Sequence, residues 1–279
     1  MNFNLFSNNI NTNKQNIYIK KKYKPFLLGD LVRVGNLKKD GGYLITQNSL
    51  KYTHNLLSIG MGYDWSFEKH FFKRDRSKKK IISLDKSLSS TKLFKYSIYN
   101  LFTFFIKPSF KRIQRFIKFF DYYLFFNAKE CLHIRKNLAL INDINNISLI
   151  RILNKFDSEK IMLKLDIEGN EYKVLKDILN LCKNFNIILI EFHNLNVLKN
   201  RKKFDNFFKK IKKNFYLSHF HINNADGISN NFPKTLELTF ENKKFFKNKK
   251  ILKSNFNYPI KNLDYPSSKK TIDYKIIFN

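Results

Sequence analysis

Apolar residues fall along this chain in short unbroken runs, and four of them, at 56–59, 81–84, 161–165 and 187–190, are rich in branched side chains. A strand covered on both faces needs a continuous apolar run, whereas a half-exposed strand alternates. The four runs therefore predict strands of a mostly parallel sheet. Between them, residues 65–72, 144–154 and 171–181 read as helices, the last with Tyr172, Leu175, Ile178 and Leu179 at helical spacing. Strand and helix in alternation predict an α/β, doubly wound sheet. Past residue 190 the pattern changes. A lysine-rich amphipathic helix is predicted at 204–213, and segments 215–224 and 234–242 alternate as strands with one polar side, predicting an antiparallel hairpin near the C-terminus.

Residues 91–126 interrupt this alternation with an aromatic and basic stretch whose one firm breaker is Pro108. It predicts a helical insert with two readings. In one, the helices pack over the sheet and their aromatics are core. In the other, they form a lid or an interfacial element that lays Phe, Tyr and Lys against a membrane.

A chain of 279 residues, 43% of them hydrophobic, can bury a full core. No Pro, Gly or Ser-rich linker divides it, so one domain is expected over 22–279, behind a polar, Asn-rich leader at 1–21 that is expected to be flexible. The formal charge of +31 invites a nucleic-acid reading, but only 8 of the 53 basic residues are Arg, and the lysine excess accompanies an excess of Asn, Ile and Phe. Base-edge readout and stacking favour Arg. A solvated lysine surface is the expectation, with an anionic membrane or an acidic glycan ahead of nucleic acid as partner. Cys131 and Cys182 are the only cysteines, which excludes a disulfide framework and disfavours a cysteine-built zinc site. No metal site is expected. The N-terminus lacks a basic-then-apolar signal design and no apolar run is long enough to span a bilayer, so the expected compartment is the cytoplasm.

Candidate chemistry gathers at the predicted strand ends. Gly60 and Gly62 sit in a strand-turn-helix setting where glycine admits close approach of a ligand, and Asp64 is placed to cap the following helix. Asp85 ends the next strand 23 residues after Gly62, a spacing that suits ribose hydroxyls. Trp65 stands where a dinucleotide fingerprint needs its third glycine, which disfavours NAD. Asp166, Glu168 and Glu171 cluster at another strand end, where carboxylates accept a proton, hold an amino group, bind a divalent metal or cap a helix. Glu191 and His193 share one face of an extended segment, as do His219 and His221, followed by Asn223. These histidines are candidate general bases, metal ligands, or simply side chains bonded to loop backbone.

Taken together, RVGNLKKDGGYLI (33–45), LLSIGMGYDWSFEKHF (56–71), IMLKLDIEGNEYKVL (161–175), IILIEFHNL (187–195), HFHINN (219–224) and PKTLELTF (233–240) resemble the FkbM family of S-adenosylmethionine-dependent methyltransferases. The branch with DGGY and DWSFE-type segments is the nearer pattern. The resemblance implies a class I methyltransferase, Rossmann-like sheet with an antiparallel C-terminal strand, and S-adenosylmethionine as cofactor. By position it implies that Gly60, Gly62 and Glu68 form the cofactor turn, that Asp85 takes the ribose, and that Asp40, Gly41 and Gly42 belong to the cofactor rim. It places Asp166, Glu168 and Glu171 toward the transferred methyl.

The expected reaction is O-methylation of a hydroxyl on a sugar, surface glycan or lipid-linked saccharide. His193 is the expected base, Asp166 its partner or a holder of the acceptor, and His221 the reserve. Glu191 and Asn223 join Glu168 and Glu171 as candidates for holding the acceptor. Two rival readings are a basic nucleic-acid-binding module or RNA methyltransferase, and a non-catalytic protein resting on the membrane surface with the same fold.

Overall fold

The computed structural model describes residues 16–74, 79–229, 232–247, 250–271 and 273–279. In chain order the framework runs β1 (Asn55–Ile59), α1 (Ser66–Arg74), β2 (Lys80–Leu84), α2 (Ser90–Ile106), α3 (Phe110–Phe126), β3 (Cys131–Ile134), β4 (Ile161–Leu165), α4 (Glu171–Asn180), β5 (Phe185–Phe192), α5 (Leu198–Ile211), β6 (Phe215–Ile222) and β7 (Leu236–Asn242). The seven strands form one sheet in the order β3-β2-β1-β4-β5-β7-β6. The first five run parallel, and β7 lies antiparallel between β5 and β6. This is the Rossmann-like class I methyltransferase sheet that the resemblance implied, with its last strand antiparallel.

The apolar runs are continuous because both faces of the sheet are covered. Leu57, Ile82, Leu163 and Ile188 turn to one face, where α4 brings Val174 and Ile178 and α5 brings Phe204 and Ile211. Leu56, Ile81, Met162 and Ile187 turn to the other, beneath Phe67 and Phe71 of α1 and Val34, Tyr43 and Ile45 of the antiparallel pair Leu31–Gly35 and Gly42–Thr46. Alternate residues of a strand thus serve two cores.

Four local expectations change. Residues 144–154 are not one helix, since Asn146–Ile147 pairs with Asn137–Leu138 and only Leu149–Leu153 is helical. Asp143 accepts from the amides of Asn145 and Asn146 at 2.7 and 2.8 Å, a side-chain turn that competes with the helix. The helix predicted at 204–213 starts earlier, at Leu198, through a polar turn without an apolar stripe. The polar side of β6 is buried, covered by the chain around Tyr258, Asp264 and Asp273. The leader expected over 1–21 is shorter than that: Asn16–Ile19 forms a parallel pair with Lys275–Phe278 and buries Ile17 and Ile19. Residues 1–15 of that leader lie outside the described residues.

The insert is the predicted helical pair, and its aromatics divide between the two readings: Tyr122 is buried and Phe119, Phe125 and Phe126 pack against the core beside Met61, Trp65 and Leu93, while Phe102, Phe105 and Phe110 are exposed. Only Leu93, Ser97 and Asn100 of α2 and Tyr122 of α3 are buried.

Candidate active site

Backbone hydrogen bonds continue past the strand ends and bring the loop starts side by side. Gly60 N donates to Leu84 O at 3.0 Å, Asp85 N to Ile134 O at 3.2 Å, and Asp166 N to Ile59 O at 2.9 Å. Gly60, Asp85 and Asp166 consequently share one rim and line a cleft of about 860 Å³.

Gly60 is held at φ +80°, and a Cβ there would stand 1.5 Å from the carbonyl oxygen of Asp166. Only glycine lets the two loops pass this closely. Gly62 is at φ +58° with nothing within 4 Å of a Cβ, so its open side belongs to the cleft. Its amide donates to Asp85 Oδ2 at 2.7 Å, which turns the spacing read in the sequence into a direct contact. Asp85 Oδ1 accepts from Ser87 N at 2.7 Å, Ser87 Oγ at 2.6 Å and Leu88 N at 3.2 Å. Burial pushes this carboxyl up, but the hydrogen bonds from Ser87, Gly62 and Leu88 outweigh it and hold Asp85 below the usual carboxylate range. Oδ1 is thus saturated while Oδ2 keeps acceptor capacity toward the cleft. An open glycine turn beside an ionised acceptor fits a ribose hydroxyl.

At the other end of the rim, His193 follows β5 and is 6% exposed. Its Nδ1 pairs with Glu171 Oε1 at 2.7 Å, and the same oxygen accepts its backbone N–H at 2.9 Å. Glu171 is fully buried in the first turn of α4, where the helix dipole favours a carboxylate. Tyr172 fixes the loop further by donating to His193 O at 2.5 Å. With the ring so held, Nε2 faces Glu168 at 3.5 Å and Asp166 and Glu191 at 3.8 Å each.

Burial would lower the imidazole, but the hydrogen bond and charge of Glu171, with Asp166 and Glu168, raise it above its ordinary value. Asp166 is raised because burial outweighs the attraction of Lys164 and His193. Glu191 is pushed well above the usual range by burial and then by Asp166 and Glu237. Lys164 stands 3.9 Å from Asp166 Oδ2; burial opposes its charge, but Asp166, Glu68 and Glu191 prevail and keep it an ammonium. Burial and mutual charge thus shift Asp166, Glu191 and His193 upward together, as in groups suited to proton transfer. Asp166, Glu191 and His193 also offer ligand atoms within 4.8 Å of one another, with Glu171 orienting the imidazole from behind, so these three could hold a divalent cation, although no metal site was expected.

Of the residues singled out in the sequence, Gly60, Gly62, Asp85, Asp166 and Glu168 line the cleft. His193 and Glu191 join them through Asp166. The others stand elsewhere. Glu171 is too buried to touch an acceptor and instead positions His193. Asn223 donates to Glu191 Oε1 at 2.8 Å and orients that carboxylate. His221, the expected reserve base, is 3% exposed with Nδ1 on Glu237 at 3.1 Å and Nε2 on Asp273 at 3.3 Å, so neither nitrogen is left for a substrate. Asp64 accepts from Ser66 N at 2.9 Å in the turn that starts α1, away from the cleft. Glu68 is fully buried and hydrogen-bonded by Ser58.

Asp40, Gly41 and Gly42 shape a hairpin turn and are not among the lining residues. Gly42 is required there because a Cβ would lie 2.3 Å from Asn36 O. What that hairpin delivers is Tyr43, whose hydroxyl stands 3.5 Å from Glu191 Oε2. Lys164 was missed because an apolar strand hid it, and Lys136, Lys173 and Lys203, which line the cleft with Lys86, were lost in a lysine-rich background.

A family model described as the methyltransferase FkbM domain matches residues 62–218. No curated protein matches the chain. Among solved structures, the chain is similar to the fibrillarin pre-rRNA processing protein of Methanococcus jannaschii at 9% identity, over 77% of this chain and 92% of that one, with a TM-score of 0.36. It is also similar to the precorrin-6y C5,15-methyltransferase of Geobacter metallireducens, at 9% identity over 69% and 83% with a TM-score of 0.34. A third is a Thermoplasma acidophilum protein described as a methyltransferase, at 8% identity over 75% and 80% with a TM-score of 0.35.

Proposed function

The chain belongs to the FkbM methyltransferase family, and from that premise we propose that it uses S-adenosylmethionine to methylate a hydroxyl on a sugar, surface glycan or lipid-linked saccharide. The observation that carries this reading is the rim itself, where a glycine turn and an ionised Asp85 line the cleft together with Asp166 and Glu168, and His193 stands 3.8 Å behind Asp166. When bound, the cofactor supplies an electrophilic methyl. Gly60, Gly62 and Asp85 would hold it.

The residues of this chain then have three tasks. The acceptor hydroxyl must be held in line, and Asp166 and Glu168 are the carboxylates that reach the cleft. Its proton must leave, and His193, kept in one orientation by Glu171, takes it at Nε2 once that nitrogen is free of its own proton. Water must be excluded, for which the buried surroundings of His193, Glu191 and Lys164 are suited. Lys86, Lys136, Lys173 and Lys203 around the cleft favour an acceptor bearing phosphate or carboxylate, such as a saccharide on a lipid phosphate. An acceptor of that kind would bring the protein to the inner face of a membrane.

The test is calorimetry with S-adenosylmethionine and its demethylated product, on the wild type and on Asp85→Ala. Binding of both ligands, weakened in the variant, supports the reading. Wild-type protein that binds neither ligand overturns it.

A further inference from the structure

The helical pair α2 and α3 leaves large apolar side chains in water. Phe105 is 74% exposed, Ile106 83%, Phe110 74% and Phe102 68%. These four surround the turn between the helices, and no residue from 101 to 121 is buried. A soluble surface seldom gathers rings in this way without a partner.

The pair is not a loosely attached segment. At its base Trp65 Nε1 donates to Asp121 Oδ2 at 2.8 Å, Lys69 pairs with the same carboxylate, and Tyr122 meets His133 Nδ1 at 2.6 Å. At its tip Arg112 donates to the carbonyls of Thr103 and Lys107, which closes the turn. The aromatics are therefore held out on a built element that is fastened to the domain at its base and closed on itself at its tip.

Charge identifies the partner. Residues 90–126 carry seven basic side chains, Lys92, Lys95, Lys107, Lys111, Arg112, Arg115 and Lys118, against a single acid, Asp121, which is already paired. A second copy meeting this face would set like charge against like. An anionic lipid surface satisfies both features at once: apolar rings enter the acyl boundary while lysines remain at the head groups. Ile106 and the phenylalanines at the tip have no polar group to satisfy on entering that boundary.

We propose that the tip formed by Phe102, Phe105, Ile106 and Phe110, with Lys107 and Lys111, docks this protein on anionic membranes. The first of the two helices is capped by Ser89, just after Asp85, Lys86 and Ser87 of the cleft wall, so the docked element is continuous with the rim. The proposal does not depend on the methyl-transfer reading.

The experiment is co-sedimentation of the full chain with vesicles of phosphatidylcholine mixed with phosphatidylglycerol, against phosphatidylcholine alone. Wild-type protein should bind the mixed vesicles roughly tenfold or more tightly than the neutral ones, falling with added salt. Phe105→Ser with Ile106→Ser should lose roughly tenfold or more of that binding, and Lys107→Gln with Lys111→Gln about as much. Both variants change exposed side chains and should keep the wild-type melting temperature. Equal vesicle binding by wild type and the Phe105→Ser, Ile106→Ser variant overturns the proposal. So does a tip that changes oligomeric state in size-exclusion chromatography, or that binds RNA, while vesicles are ignored.

Discussion

The rim of the cleft and the tip of the helical pair each break the usual sorting of side chains, in opposite senses. At the rim, charged groups are buried: Glu171, Lys164, Glu191 and His193 are all under a tenth exposed. At the tip, phenylalanines are exposed. Burying a charge costs free energy unless hydrogen bonds and opposite charge offset it; at the rim the acids do this for Lys164 and His193, while burial prevails at Glu191. Exposing rings costs the burial they forgo, and the tip has nothing of its own to offset that. The rim thus offsets part of its burial from within the chain, whereas the tip can be covered only by something else.

The largest effect should come from the rim's proton acceptor. His193→Ala should lower turnover by about 10²- to 10⁴-fold while cofactor affinity, measured by calorimetry, stays near wild type. Unchanged turnover would remove His193 from its role.

Next in size is a contrast inside the glycine turn. Gly60→Ala should cost about 3 kcal/mol or more in chemical denaturation, because its methyl meets backbone. Gly62→Ala, with open space around it, should cost about 1 kcal/mol from φ alone. Equal costs would mean that the close passage of the two loops is not as described.

Asp85→Ala should weaken S-adenosylmethionine binding by roughly 10- to 100-fold, the worth of hydrogen bonds to a charged acceptor.

A smaller effect concerns pH. His193 is raised in the folded state, so its contribution to stability is fully present below the ordinary imidazole pKa and is lost as pH rises through its raised value. In Glu171→Gln that loss should move to lower pH, seen as an earlier decline of melting temperature and as a lowered imidazole titration by NMR. An unmoved titration would show that Glu171 does not govern His193.

The smallest effect belongs to the tip. Phe105→Ser with Ile106→Ser should change stability by no more than about 0.5 kcal/mol and leave turnover on a water-soluble acceptor as in wild type. A drop of several kcal/mol in denaturation would mean that the rings are core after all.

Much of the rim was readable before the structure because its residues sit where apolar runs stop. The ends at Gly60, Asp85 and Asp166 follow from strand length, and the Gly62–Asp85 spacing became a hydrogen bond of 2.7 Å. The alternation of strand and helix determined the doubly wound class, and the FkbM motifs supplied the family. What only tertiary structure decided was which polar side chains share a space. His193 and His221 have the same local pattern, yet the chain around Asp264 and Asp273 covers β6 and consumes one, while α4 turns Glu171 under the other and leaves its Nε2 facing Asp166 and Glu168 of the cleft wall. Asp40 and Tyr43 lie three residues apart, yet the tyrosine hydroxyl comes within 3.5 Å of Glu191 while Asp40 acts on it through charge. The insert shows the same division. An aromatic and basic stretch broken at Pro108 pointed to a helical insert, but which of its aromatics meet core was decided by packing: Tyr122, Phe125 and Phe126 lie against the domain, while Phe102, Phe105 and Phe110 stay in solvent.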